Sequence, residues 1–179
     1  MAAGPITVEE FEQLPLALVV NHELIDGELV DVSGNTPLHN LLRDLLVRLL
    51  GDHVERNGLG TVIAEQEYEF DQNVHGPHLS FFVPAKRGSL NLSARVQRFV
   101  PDLAIEIASP NDKFTAILQK CDRYRACGVQ ETWLISAETR RIFVSSGEHQ
   151  RMLGEDDALT SPLLPGFSIT LRQLIARLP

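Results

Sequence analysis

Cysteine is scarce in this chain, with two among 179 residues. Cys121 and Cys127 stand six apart in a stretch of helical periodicity, about 9 Å along a helix axis. That separation exceeds disulfide reach, and two thiols are too few for a thiolate zinc cluster, so both are expected to fill core. Long apolar runs are also missing: none approaches the roughly 18 residues that cross a bilayer, and no membrane partner is expected. The first residues, Met-Ala-Ala-Gly-Pro, lack the basic and apolar regions of a signal peptide, which leads to an expected cytoplasmic location. Aromatics are few, with one Trp and two Tyr; Trp133 and Tyr124 are expected in the core, since single aromatics make no base-stacking platform. Positive charge is in deficit, 16 Lys and Arg against 24 Asp and Glu, for a formal charge of −8. That excludes an unspecific nucleic-acid coat, but not a site built from carboxylates.

What is present suffices for a core: 44% of the residues are hydrophobic, and the length suits one domain, residues 1–179. Thr7-Val-Glu-Glu10 has capping-box spacing for a short helix within Ile6–Leu14. Leu18–Ile25 and Leu29–Val32 flank Asp26-Gly27, a hairpin signal. A polar lead-in at 35–40 opens a long helix with apolar positions Leu38, Leu41, Leu42, Leu45, Leu46, Leu49 and Leu50, stopping near Gly51 or Gly58. Thr61–Phe70 alternates as one half-exposed strand, Asp71–Pro77 is a turn-rich connector, and Leu79–Val83 is a short apolar strand. Pro84–Gln97 is polar, basic and without period, and is expected to be a loop. Glu131–Ser136 and Arg141–Ser145 form a hairpin, and a short helix closes the chain at Leu171–Leu178. Hairpins mixed with one strand–helix–strand unit define an α/β fold with a mixed sheet.

That unit starts at Pro101. Leu103–Ala108 is an apolar strand carrying one acid, Glu106, which is costly to bury unless paired or metal-bound. Ser109, Pro110 and Asp112 form a helix start, followed at helical spacing by Phe114, Ile117, Leu118, Cys121 and Tyr124, with Gly128 as the stop. If the helix folds back on its strand, Glu106 lies about 10 Å before the corner and Lys120 about 16 Å beyond it. A lysine reaches back toward its helix N-terminus by on the order of 6 Å, which brings ammonium and carboxylate level.

Several motifs now coincide: Glu23-Leu-Ile-Asp-Gly-Glu28, His39 before the long helix, Pro101-Asp-Leu-Ala-Ile-Glu-Ile-Ala-Ser-Pro-Asn-Asp112, Lys120 with Tyr124, Gly128-Val129 before Trp133-Leu-Ile, and Leu164-Pro-Gly-Phe167. In this order they resemble the bacterial Uma-two endonuclease family, of the restriction-endonuclease-like PD-(D/E)XK superfamily. The resemblance implies a mixed β-sheet flanked by α-helices and a site that hydrolyses DNA phosphodiester bonds with a divalent metal, Mg²⁺ or Mn²⁺. It departs in one place: where the family has Pro-Asp before an apolar strand, this chain has Pro77-His78. Imidazole suits Mn²⁺ or Zn²⁺, whereas Mg²⁺ prefers oxygen.

The catalytic candidates are therefore Glu106, Lys120 and Glu23, with Glu106 and His78 as the implied metal ligands. Glu23 is either a further carboxylate of the site or a solvated hairpin acid, and Lys120 either a stabiliser of phosphate charge or a snorkelling lysine. Asp102 and His39 are auxiliary candidates. Asp102 lies about 13 Å from Glu106 along the strand, too far to share one ion without a bulge, which favours a structural role; His39 is as readily a capping or packing residue as a proton shuttle. The rival function is a catalytically silent relative that binds nucleic acid or protein. A homo-oligomer is compatible with either.

Overall fold

Thr7 opens the first helix through the capping box its spacing predicts. Its hydroxyl accepts from the Glu10 amide, and the Glu10 carboxylate accepts from the Thr7 amide. In the computed structural model, residues 4–32, 34–109 and 114–179 are described. Helix α1 (Val8–Gln13) and the single turn α2 (Leu16–Val19) precede a hairpin of β1 (His22–Ile25) and β2 (Glu28–Asp31). Its turn residues Asp26 and Gly27 have φ of 51° and 82°, as a two-residue loop between twisted strands requires. Helix α3 (Pro37–Asn57) is capped by the Thr36 hydroxyl and ends on left-handed Gly58.

Strands β3 (Thr61–Ala64), β4 (Glu67–Phe70), β5 (Asn73–His75), β6 (Leu79–Phe82), β7 (Val96–Gln97) and β8 (Leu103–Ile107) follow. Helix α4 (Phe114–Ala126) crosses to β9 (Glu131–Ser136), which turns back through β10 (Arg141–Ser146) and β11 (His149–Leu153). The short pair β12 (Ala158–Leu159) and β13 (Ile169–Thr170) leads into α5 (Leu171–Ile175).

The architecture is the expected mixed α/β one, but its strands divide into two large sheets. One runs β2-β1-β5-β4-β7 and the other β11-β10-β9-β8-β6-β3. In the second, β8 pairs with β9 in parallel across α4 and with β6 in antiparallel. Because strand residues alternate faces, Leu103, Ile105 and Ile107 join the core shared with α3. Ala104 packs in the smaller cluster that contains Tyr124 of α4, and Glu106 shares its parity and therefore its face.

Five expectations need correction. Asp71–Pro77 is more than a connector, because Asn73–His75 forms β5 between β1 and β4. Thr61–Phe70 is two strands in two different sheets, broken at Glu65, whose φ is 53°. The turn is held from outside, by Arg43 on the Glu65 carboxylate at 3.0 Å and by the His78 carbonyl accepting from the Glu65 amide, so no local turn residue marks it. The start of Leu18–Ile25 is helical, as the last half of α2. Pro84–Gln97 contains a 3-10 helix, Pro84–Ser89, and β7; Gln97 closes the intervening loop by donating to the Asn91 and Ala94 carbonyls. On α3, Leu38 and Leu41 are exposed while His39 is buried. The inward stripe is His39, Leu42, Leu46, Leu50 and Val54, at helical spacing. The expected helix-start positions Pro110 and Asp112 lie outside the described residues.

Candidate functional site

The stripe on α3 decides where His39 points. Its ring meets that of His78, just ahead of β6, edge-on with centroids 4.4 Å apart. His78 in turn lies beside β8, and its Nδ1 is 2.5 Å from Glu106 Oε2. The other oxygen of Glu106, Oε1, accepts from the Tyr124 hydroxyl at 2.7 Å and from Lys120 Nζ at 3.0 Å. Lys120 also donates to Glu23 Oε1 at 2.6 Å. Glu23 takes a further bond on Oε1 from the Gly76 amide, at 3.0 Å, and on Oε2 from His75 Nδ1, at 2.8 Å. The result is a chain of groups, His75–Glu23–Lys120–Glu106–His78, assembled from β1, β5, the β5–β6 turn, β8 and α4.

Burial makes each of these charges depend on the next. Glu23 and Glu106 are 5% and 1% exposed. Burial alone would raise the Glu106 carboxyl; Lys120, His78 and Tyr124 outweigh it and hold it well below the usual carboxylate range. The same contest lowers Glu23, through Lys120 and His75. Burial would lower Lys120, yet the two carboxylates hold it above its ordinary value. Tyr124 is raised by burial and by Glu106, so it stays a neutral donor. Cys121 is also pushed up, to about 12, chiefly by burial, which leaves a packing thiol rather than a nucleophile.

Asp102 sits at the opposite end of β8. It accepts from Lys86 at 2.8 Å, the Val83 amide at 2.9 Å and Gln130 at 2.5 Å. These contacts tie the start of β8 to the end of β6 and the start of β9, away from the cluster. Two cluster members, His75 and Tyr124, are not among the site residues expected from the sequence. His75 was hidden in a turn-rich connector, although Val74-His-Gly-Pro-His78 carries two histidines. Tyr124 reads as core at helical spacing; only its placement one turn past Lys120 hints at a shared partner.

The divalent cation implied by the family resemblance can be tested against these donors. Two ligands on one octahedral ion at 2.0–2.1 Å lie about 2.9 Å apart. At 2.5 Å, Glu106 Oε2 and His78 Nδ1 leave room for a proton. The remaining oxygens of Glu23 and Glu106 are already partnered. Among the described residues, no three His, Cys, Asp or Glu side chains are grouped to hold a metal ion. As arranged, the donors do not fit a resident cation.

Removing one partner tests the electrostatics. Tyr124→Phe deletes the hydroxyl on Glu106 and leaves the ring packing, among it the contact with Phe70 at 4.4 Å. The expected loss is about 1.5–3 kcal/mol, the range for a hydrogen bond to a charged group, read as a lower urea midpoint at unchanged slope.

A two-sheet α/β fold with buried acids bridged by one lysine belongs with the restriction-endonuclease-like proteins. The chain is a member of the Uma2 family, described as "Putative restriction endonuclease", whose profile matches residues 8–172. A solved structure from Anabaena variabilis, described as "a putative nuclease belonging to DUF820", shares the fold with a TM-score of 0.86 at 21% identity, covering 96% of this chain and 98% of that one. No curated protein matches. Among the described residues, no helix is long and apolar enough to cross a membrane.

Proposed function

We propose that this protein is an endonuclease that hydrolyses DNA phosphodiester bonds at the Glu23–Lys120–Glu106–His78 cluster. The observation that supports this reading is the meeting of two carboxylates, from β1 and β8, on one buried lysine, beside a histidine that is 17% exposed. Acids that a fold could replace with apolar residues at little cost are instead held ionised at the end of a strand, in a family described as "Putative restriction endonuclease". Lys120 supplies the positive charge beside which a phosphodiester anion is stabilised as charge develops on it.

One observation favours a second reading, a nuclease-fold protein that binds nucleic acid or protein without cutting it. Every carboxylate oxygen of Glu23 and Glu106 has a partner. Relaxation of supercoiled plasmid separates the two. The purified protein is incubated with Mg²⁺, with Mn²⁺ and with excess EDTA. Nicked circles in at least one condition are expected. Intact plasmid in all three contradicts the cutting reading, and retention of the DNA at low salt would then favour the binding one.

A further inference from the structure

The edge of a sheet presents a row of unpaired main-chain donors and acceptors, which proteins commonly guard with charge or shortness. The five-stranded sheet ends on β2, which carries Glu28 and Asp31, and on β7, two residues long. The six-stranded sheet ends on β11, which carries His149 and Arg151, and on β3. β3 differs from the others. Thr61-Val-Ile-Ala64 holds no charge, and all four residues are half-buried.

The outward row of β3 follows from its bonds on the inner side. The Glu65 amide donates to the His78 carbonyl, and the Ile63 carbonyl accepts from the Ser80 hydroxyl, so Ile63 and Glu65 turn their main-chain groups toward β6. In an antiparallel strand these groups alternate sides. Val62 and Ala64 therefore direct theirs away from β6, where the described residues supply no further strand. An open groove of about 610 Å³, lined in part by Leu41, Val47 and Arg48 of α3 and by Ala64, leaves that end of the strand uncovered.

The two ends of β3 carry opposite charges. Arg87 lies at the start, donating to the Thr61 hydroxyl at 3.2 Å and to the Gly60 carbonyl at 2.6 Å. It is exposed, and among the described residues no carboxylate pairs with it. Glu65, its side chain 48% exposed, lies at the finish.

We propose that a second copy of this chain pairs with β3, antiparallel across a two-fold axis at Ile63, and joins two six-stranded sheets into one. The outward groups define the register: Val62 of each copy exchanges hydrogen bonds with Ala64 of the other, Ile63 faces its own counterpart, and Thr61 faces Glu65. Glu65 then stands beside Arg87 of the other copy, and symmetry repeats the contact. An axis at Val62 would carry Glu65 beyond the start of the opposite strand, so the charges select Ile63. Main-chain bonds supply the affinity, and the two charge pairs fix the register.

Sedimentation equilibrium of the full chain at micromolar concentration should give twice the 19.9 kDa of one copy. Ile63→Cys should cross-link to itself under mild oxidation, since a non-hydrogen-bonded antiparallel pair has Cα atoms about 4.5 Å apart, within disulfide reach. The wild type, with Cys121 buried and Cys127 partly so, is the control. Arg87→Glu and Glu65→Lys, matched for folding by circular dichroism, should each raise the dimer dissociation constant by about tenfold or more, through like charges facing each other. Mixing the two variants should restore the dimer, because both contacts of the mixed pair are again opposite in sign. A monomeric wild type, an Ile63→Cys chain that cross-links no more than the wild type, or a mixture of the charge variants that fails to dimerise would each overturn the proposal.

Discussion

Replacing Lys120 with methionine is expected to destabilise the protein by about 3–5 kcal/mol, the cost of breaking a buried ion pair from one side. The lysine is the cation shared by Glu23 and Glu106, at 2.6 and 3.0 Å. Methionine retains much of the apolar stem and removes the charge, so the loss is electrostatic rather than a cavity effect. Two carboxylates would then face each other across a dry gap, with only His75, His78, Tyr124 and the Gly76 amide to satisfy them.

The pH dependence identifies the cause. In the wild type, both carboxyls are held below their ordinary value of 4.5. Their contribution is therefore fully present above about that pH and is lost as pH falls toward the folded-state values. Lys120 is raised above 10.5, so the same interactions seen from the lysine persist below that pH and are lost as it rises. In Lys120→Met the repulsion between the acids disappears once one takes up a proton. The penalty should therefore shrink as pH falls through the carboxylate range. Urea denaturation of both proteins at several pH values measures this; a penalty below about 1 kcal/mol at neutral pH, the range of an exposed pair, would contradict the buried arrangement.

Glu106→Gln should lower nicking by about 10²- to 10³-fold, the range for removing one preorganised electrostatic group from a site. The reason lies in the donors around the side chain. Tyr124 and Lys120 both donate to the Oε1 side, so the amide oxygen must stay there and the NH₂ group must face His78. The negative charge that Lys120 shares is lost, and the close contact with His78 is rearranged. Lys120 retains Glu23 as a partner, so fold retention is checked by circular dichroism before rates are compared. Activity within tenfold of wild type would remove Glu106 from the mechanism.

Parts of this site were legible in the residues. Strand rise, helix rise and lysine length already bring Glu106 and Lys120 level, because strand–helix geometry is nearly invariant; the structure has them 3.0 Å apart. The Asp26-Gly27 hairpin signal places Glu23 on β1, but turn chemistry does not say which face is covered. Its burial depends on β5, which pairs with β1 through Leu24 and Val74. The break at Glu65 was not readable, since it is imposed by Arg43 and the His78 carbonyl, both distant in sequence. Nor was the inward turn of His39: Leu38 and Leu41 are the better hydrophobes, yet the rotation of α3 is set by Leu42, Leu46, Leu50 and Val54 over the sheet. β11 went unrecognised because His149–Leu153 is a largely exposed edge strand with no apolar alternation.

Supercoiled-plasmid nicking by the wild type and by Glu106→Gln, matched for folding by circular dichroism, tests most directly that the Glu23–Lys120–Glu106–His78 cluster is where the bond is cut. The wild type should nick in at least one of Mg²⁺, Mn²⁺ and EDTA, and Glu106→Gln should be slower by about 10²-fold or more. A wild type that nicks in none of them, or a Glu106→Gln variant that nicks as fast as the wild type, would contradict it.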